Sequence, residues 1–203
     1  MKRIVVSRLP TRLGNFDIYG YQVQASGIEH VALVSGRLPL PEPVLVRIQS
    51  ECLTGEVFGS LRCDCRAQLD LALHSINAAG GGVLVYLRGH EGRGIGLLNK
   101  LRAYALQDHG SNTVHANREL GLPVDARDYS AAAAILRDLG LRTLRLMTNN
   151  PDKVHAMQSA GLTVTERVPI VSRSTPENAE YLRTKEEEMG HLLGGAAPRG
   201  PRR

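Results

Sequence analysis

All three cysteines of this 203-residue chain fall within residues 47–68, RIQSECLTGEVFGSLRCDCRAQ, at Cys52, Cys63 and Cys65. An odd count cannot pair off completely into intramolecular disulfides, so thiols gathered this closely read better as metal ligands than as a bridge. A zinc site closed by four protein ligands is usually structural. One with three keeps a corner for water, whose pKa the metal lowers to about 7. Spacing alone leaves three readings open: a catalytic metal, a structural metal completed by a histidine, and reduced core cysteines with no metal. The neighbours Ser50, Glu51, Thr54, Glu56, Arg62 and Asp64 favour a working site, because packing does not ask for so many polar groups beside a buried thiol cluster.

The length suits one well-packed domain, expected over residues 1–192, followed by a flexible basic tail over 193–203 (LGGAAPRGPRR). No apolar run is long enough to span a bilayer, and the N-terminal stretch is too short for a secretory leader, so the expectation is a cytoplasmic protein without a membrane partner. A net charge of +5 points to an anionic partner. With no Trp, six Tyr and two Phe, stacking platforms for single-stranded nucleic acid are scarce, and a small anionic ligand is favoured over nucleic acid.

Alternation and turn residues predict strands over 2–8, 16–24, 29–35 and 44–49. A helix follows over 68–78. The apolar run VLVYL at 83–87 predicts a strand covered on both faces. After it, RGHEGRGIG sets four glycines among four ionisable side chains just before a helix over 97–107, a plausible phosphate cradle. That helix carries Leu98, Leu101, Ala105 and Tyr104 along one face. Residues 109–128 read as a long irregular connection, 130–139 as a helix that Asp128 caps, and 144–147 as a strand. Asn150 and Pro151 open the next helix, where Lys153 opposes the macrodipole unless an anion sits nearby. A strand over 164–168 and a charged helix over 177–192, with Glu186–Glu188 solvated, complete the chain. The fold class is therefore α/β: a β-rich N-terminal part leading into a mixed, largely parallel sheet with helices on its faces. Both polar turns, 88–96 and 148–153, leave carboxyl ends of strands, where open α/β sheets bind ligands.

The run SECLTG followed by SLRCDC, together with HEGRGIGLLNKLRAYALQD, LGLPVDARDY, TNNPDK and YLRTKEEEMGH, resembles GTP cyclohydrolase II over roughly residues 8–192. The resemblance implies a homodimer that hydrolyses GTP to 2,5-diamino-6-ribosylamino-4(3H)-pyrimidinone 5′-phosphate, formate and pyrophosphate, the first step of riboflavin biosynthesis. It implies one Zn2+ per subunit on Cys52, Cys63 and Cys65, with Mg2+ on the triphosphate. By the same matching, Arg127 is the nucleophile or an electrostatic clamp toward the α-phosphate, Asp125 the proton acceptor, and Tyr104 completes the ring chemistry. GTP would be held by Arg47, Ile48, Gln49, Ser50, Glu51, Gln68, Glu91, Gly92, Arg93, Thr113, Thr148 and Lys153. Gln49, Glu56 and Arg66 stand where the family commonly has His, Asp and Gly. Two alternatives are a variant that stops at the formylamino-pyrimidine, and a nucleic-acid binder built on a structural zinc.

Overall fold

Alternation of apolar and polar residues folds the first 35 residues into a meander, β1 (Lys2–Thr11), β2 (Gly14–Gln22) and β3 (Glu29–Ser35), paired antiparallel in sequence. The later strands β4 (Val44–Ser50), β5 (Gly82–Leu87), β6 (Thr143–Met147) and β7 (Thr163–Val168) are linked by helical crossovers. The computed structural model describes residues 1–110 and 112–194, apart from the side chain of Thr113; the expected tail lies outside these residues from 195 onward. All seven strands form one sheet in the order β1-β2-β3-β5-β4-β6-β7. The meander joins through an antiparallel β3–β5 pair, and β5-β4-β6-β7 run parallel.

Strand β4 has both neighbours and both faces covered, which is why VLVRIQS is almost continuously buried. Its Val44, Val46 and Ile48 join Val83, Val85, Leu144 and Leu146 in the larger core, closed by Ile135 and Leu136 of α5 (Ser130–Asp138) and Met157 of α6 (Pro151–Ser159). Leu45, Leu84 and Met147 face the other way, onto Ala72, Leu73 and Ile76 of α2 (Cys65–Ala78). The period of two along β4 therefore points Arg47 and Gln49 toward the α2 side and leaves Ile48 in the opposite core. From β4 the chain crosses to β5 on one side, then from β5 to β6 on the other. That reversal opens a crevice at the carboxyl ends of the parallel strands.

Four local expectations are corrected. A four-residue helix, α1 (Leu53–Glu56), lies between the first two cysteines. Within the stretch read as irregular, α4 (Thr113–Glu119) forms because Asn112 Oδ1 accepts from the His115 amide at 2.9 Å. The last helix, α7, spans only Ala179–Glu187. Gly190, at φ 64°, takes part in the turn that follows, and the His191 amide comes back to the Lys185 carbonyl at 3.0 Å. Finally, α3 (Leu97–Asp108) turns Leu98 and Leu101 of its apolar stripe to solvent, 70% and 45% exposed, while Lys100 and Ala103 are buried and Tyr104 is half-buried. Buried polar partners for Lys100 decide that orientation. Among the described residues no helix is long and apolar enough to cross a membrane.

Candidate active site: three sulfurs beside a cationic cleft

The three sulfurs converge although 13 residues separate the first from the last. Cys52 immediately precedes α1, just past the end of β4, and Cys65 begins α2. All three Sγ atoms lie within 4.8 Å of one another, with Cys52 and Cys63 3.8 Å apart. Tetrahedral zinc with Zn–S bonds near 2.3 Å needs sulfurs about 3.8 Å apart, so the cluster fits a thiophilic metal. Among the described residues the group contains these three ligands and no fourth His, Cys, Asp or Glu. Gly55 makes the approach possible, since a Cβ there would stand 2.6 Å from Cys63 Sγ and 3.2 Å from Cys52 Sγ. Within the cluster, hydrogen bonds from Cys63 and then Cys65 pull the Cys52 pKa far below that of an ordinary thiol, while the same sharing pushes Cys63 and Cys65 upward.

Lys100, which sequence reasoning missed, ties this cluster to the glycine-rich turn. Its Nζ donates to Cys52 Sγ at 3.2 Å and Thr54 Oγ1 at 2.7 Å, and it pairs with the Glu91 carboxylate. Burial works against the lysine charge, but the Cys52 sulfur and Glu91 outweigh it and raise the pKa above the usual lysine value. Glu91 Oε2 also accepts from the Leu53 amide at 2.6 Å, so this carboxylate fastens the turn to the first cysteine's helix. Tyr104, one helical turn beyond Lys100, places its hydroxyl 3.4 Å from Thr54 Oγ1.

The departures Gln49, Glu56 and Arg66 meet at one point. Gln49 Nε2 donates to Glu56 Oε1 at 2.6 Å, Arg66 Nη1 donates to the Glu56 carbonyl at 2.9 Å, and Tyr86 Oη donates to Glu56 Oε2. Gln49 Oε1 in turn accepts from Arg47 Nε and Nη2 at 2.9 and 2.7 Å, and Arg47 Nη2 reaches Gln68 Oε1 at 2.7 Å. Gln49 and Glu56 thus share one buried network with Arg47 and Gln68, while exposed Arg66 reaches only the Glu56 backbone and pairs with Asp70.

Two adjoining hollows meet at Ser50, Cys65, Arg93, Arg127 and Tyr181. The first contains the cysteines, Glu51, Glu91, Gly92 and Tyr104, and the second Arg47, Gln49, Gln68, Thr148 and Lys153. Ile48 contributes its carbonyl, which accepts from Lys153 Nζ at 2.8 Å, while its side chain is in the core. Asp125 grips Arg127 through Nε at 2.9 and 3.1 Å as well as through Nη2. Thr113 opens α4, and its side chain lies outside the described residues.

The second hollow gathers five cationic side chains, Arg47, Arg93, Arg127, Lys153 and Lys185, of which Arg127 and Lys185 have a carboxylate partner. Arg93 is the one non-glycine at positive φ among the described residues (65°), and both its terminal nitrogens are buried without a hydrogen-bond partner there. Lys153 is 5% exposed; burial first, then Arg47, Arg127 and Lys185, force its pKa well below the lysine norm. Lys185 pairs with buried Asp64 at 2.8 Å. Lys185, Tyr181 and His191 were also missed from sequence, since a charged helix reads as a solvated face; YLRTKEEEMGH marked the segment without saying which side chains turn inward.

His90 provides a pH test. Burial, then Arg127 and Lys153, push its pKa from 6.5 down to about 4. Between these values the unfolded chain takes up a proton that the folded chain refuses, so stability falls as pH drops from 7 toward 4, by up to about 3 kcal/mol from this residue. Urea unfolding of wild type and His90→Gln at both pH values measures it: the variant should lose less stability on acidification, and equal losses would exclude the assignment.

Fold and site together define a doubly wound α/β protein with a thiolate cluster fit for a metal, opening onto an anion-receptive cleft. The family model for GTP cyclohydrolase II matches residues 2–169, and the chain belongs to that family. It is 60% identical over 191 residues to riboflavin biosynthesis protein RibBA of Salinispora tropica, covering 94% of this chain and 48% of that protein. Probable monofunctional riboflavin biosynthesis protein RIBA 3, chloroplastic, of Oryza sativa subsp. japonica is 58% identical over 195 residues, 96% of this chain and 36% of that protein. The RibBA of Nocardia farcinica is 58% identical over 193 residues, 95% and 47% respectively. The chain thus spans about half or less of the length of these relatives.

Proposed function

We propose that the chain catalyses the GTP cyclohydrolase II reaction: GTP and water to 2,5-diamino-6-ribosylamino-4(3H)-pyrimidinone 5′-phosphate, formate and pyrophosphate, at the entry to riboflavin biosynthesis. The observation that carries this reading is the shared wall of the two hollows, since the substrate needs ring opening at one end and cleavage of a phosphoanhydride at the other. Cys52, Cys63 and Cys65 would hold Zn2+, which when bound supplies Lewis acidity and a water of lowered pKa. Arg93, Arg127 and Lys153 would take the triphosphate with its Mg2+.

Within that reading, Arg127 acts as a charged clamp. Burial opposes its charge, but the Asp125 fork overrides burial and keeps the guanidinium protonated, without a free lone pair for attack. Asp125, whose pKa burial raises but Arg127 lowers further, stays ionised and orients that clamp. Tyr104, next to Thr54 in the hollow that holds the cysteines, would act on the opened ring. A cytoplasmic homodimer is the expected working state.

Incubating the zinc-loaded chain with GTP should release formate and pyrophosphate. Finding neither would reject the proposal, and a product mass retaining the formyl group would identify the truncated reaction.

A further inference from the structure

The family model ends at residue 169, yet three side chains of the cationic hollow come from beyond it: Tyr181 and Lys185 on α7, and His191 just after it. This segment is fixed in place. Lys185 Nζ is pinned to Asp64 Oδ1 at 2.8 Å, between two of the cysteines, and the Leu192 amide donates to the Asn149 carbonyl at 2.8 Å in the turn after β6. Tyr181 lies beneath Arg93, whose guanidinium carbon is 5.9 Å from the ring centroid.

The inner lining is left unsatisfied. His191 Nε2 is buried with no hydrogen-bond partner among the described residues, as are Arg93 Nη1 and Nη2. Leaving a buried donor unpaired costs about 1–3 kcal/mol. Burial, followed by the charges of Lys185, Arg127, Arg93 and Lys153, holds the imidazole neutral. A neutral N–H and a guanidinium, both unpaired and surrounded by cations, match one partner, a multiply charged oxyanion.

We propose that residues 179–191 form the outer wall of the phosphate site, with His191 Nε2 donating directly to the pyrophosphoryl end of the nucleotide, Tyr181 supporting Arg93, and Lys185 anchoring the wall through Asp64. This rests on the function proposed above and adds a binding residue to it. The same oxygens belong to the β- and γ-phosphates of the substrate and to the pyrophosphate that departs, so one contact serves both.

Calorimetric titration of the zinc-loaded full chain with inorganic pyrophosphate, and separately with GMP, tests it. His191→Ala should weaken pyrophosphate about tenfold, the loss of one hydrogen bond to a charged acceptor, and leave GMP within about twofold, with metal content unchanged. His191→Gln, which keeps an N–H donor, should recover most of the affinity. Unchanged pyrophosphate affinity in His191→Ala, or equal losses for pyrophosphate and GMP, overturns the inference while leaving GTP turnover by the wild type standing. If the wild type neither binds pyrophosphate nor turns over GTP, both readings fall. If the alanine chain does not fold, His191→Gln against His191→Phe decides: weaker pyrophosphate binding in the phenylalanine chain alone supports the contact, and equal affinities refute it.

Discussion

Replacing Cys52 with serine is expected to cost at least about a hundredfold in zinc affinity and about a thousandfold in GTP turnover. Cys52 Sγ stands 3.8 Å from Cys63 Sγ and accepts a hydrogen bond from Lys100 Nζ at 3.2 Å, a setting that favours the thiolate. A hydroxyl at that position is a far poorer ligand because it stays protonated at neutral pH, so the variant loses charge as well as a donor atom. The fold should survive, because the cluster sits past the strand ends and the two main hydrophobic cores do not include it. Metal per chain after dialysis, cobalt-thiolate absorption and formate release measure the effect. With chelator present, thermal unfolding should be nearly the same in variant and wild type. Stoichiometric zinc with near-normal turnover in Cys52→Ser would remove the cluster from the mechanism.

The second large effect has two opposite signs. Lys153→Met should raise unfolding stability by about 1–3 kcal/mol and weaken pyrophosphate binding by about a hundredfold. Lys153 is buried among Arg47, Arg127 and Lys185, and its Nζ donates to the Ile48 carbonyl. Methionine keeps the length and apolar stem while removing the desolvated charge and its repulsion of the other cations. That charge is useful only when an anion arrives. Urea denaturation and pyrophosphate calorimetry on the same preparation read both signs, and a variant that is destabilised while binding pyrophosphate normally would contradict the picture of a strained anion site.

The parts legible in the sequence were those whose physics is local. The cysteines lie close along the chain, and the chemistry of three thiolates limits what they can do. The Asn150–Pro151 helix start, with Asn150 Oδ1 accepting from the Asp152 amide, was written in a few residues. So was the fully covered strand at 83–87. What the sequence concealed depended on distant partners. Leu98 and Leu101 describe a respectable core stripe, but Lys100 turns inward because Cys52 and Glu91, 48 and 9 residues away, satisfy its charge. Lys185 looks like one more solvated charge until Asp64, 121 residues earlier, comes alongside. The meander could have joined the parallel strands at either edge; its attachment through β5 makes β5 an interior strand and leaves β7 at the edge, and no short pattern specifies that.

Strand β4, from which Arg47 and Gln49 project and after which Cys52 follows, is laced by hydrogen bonds to β5 on one flank and β6 on the other. Pairing on both flanks and cover on both faces put its amides among the last in the domain to exchange with deuterium, so the side chains it carries into the crevice keep their spacing through local openings elsewhere.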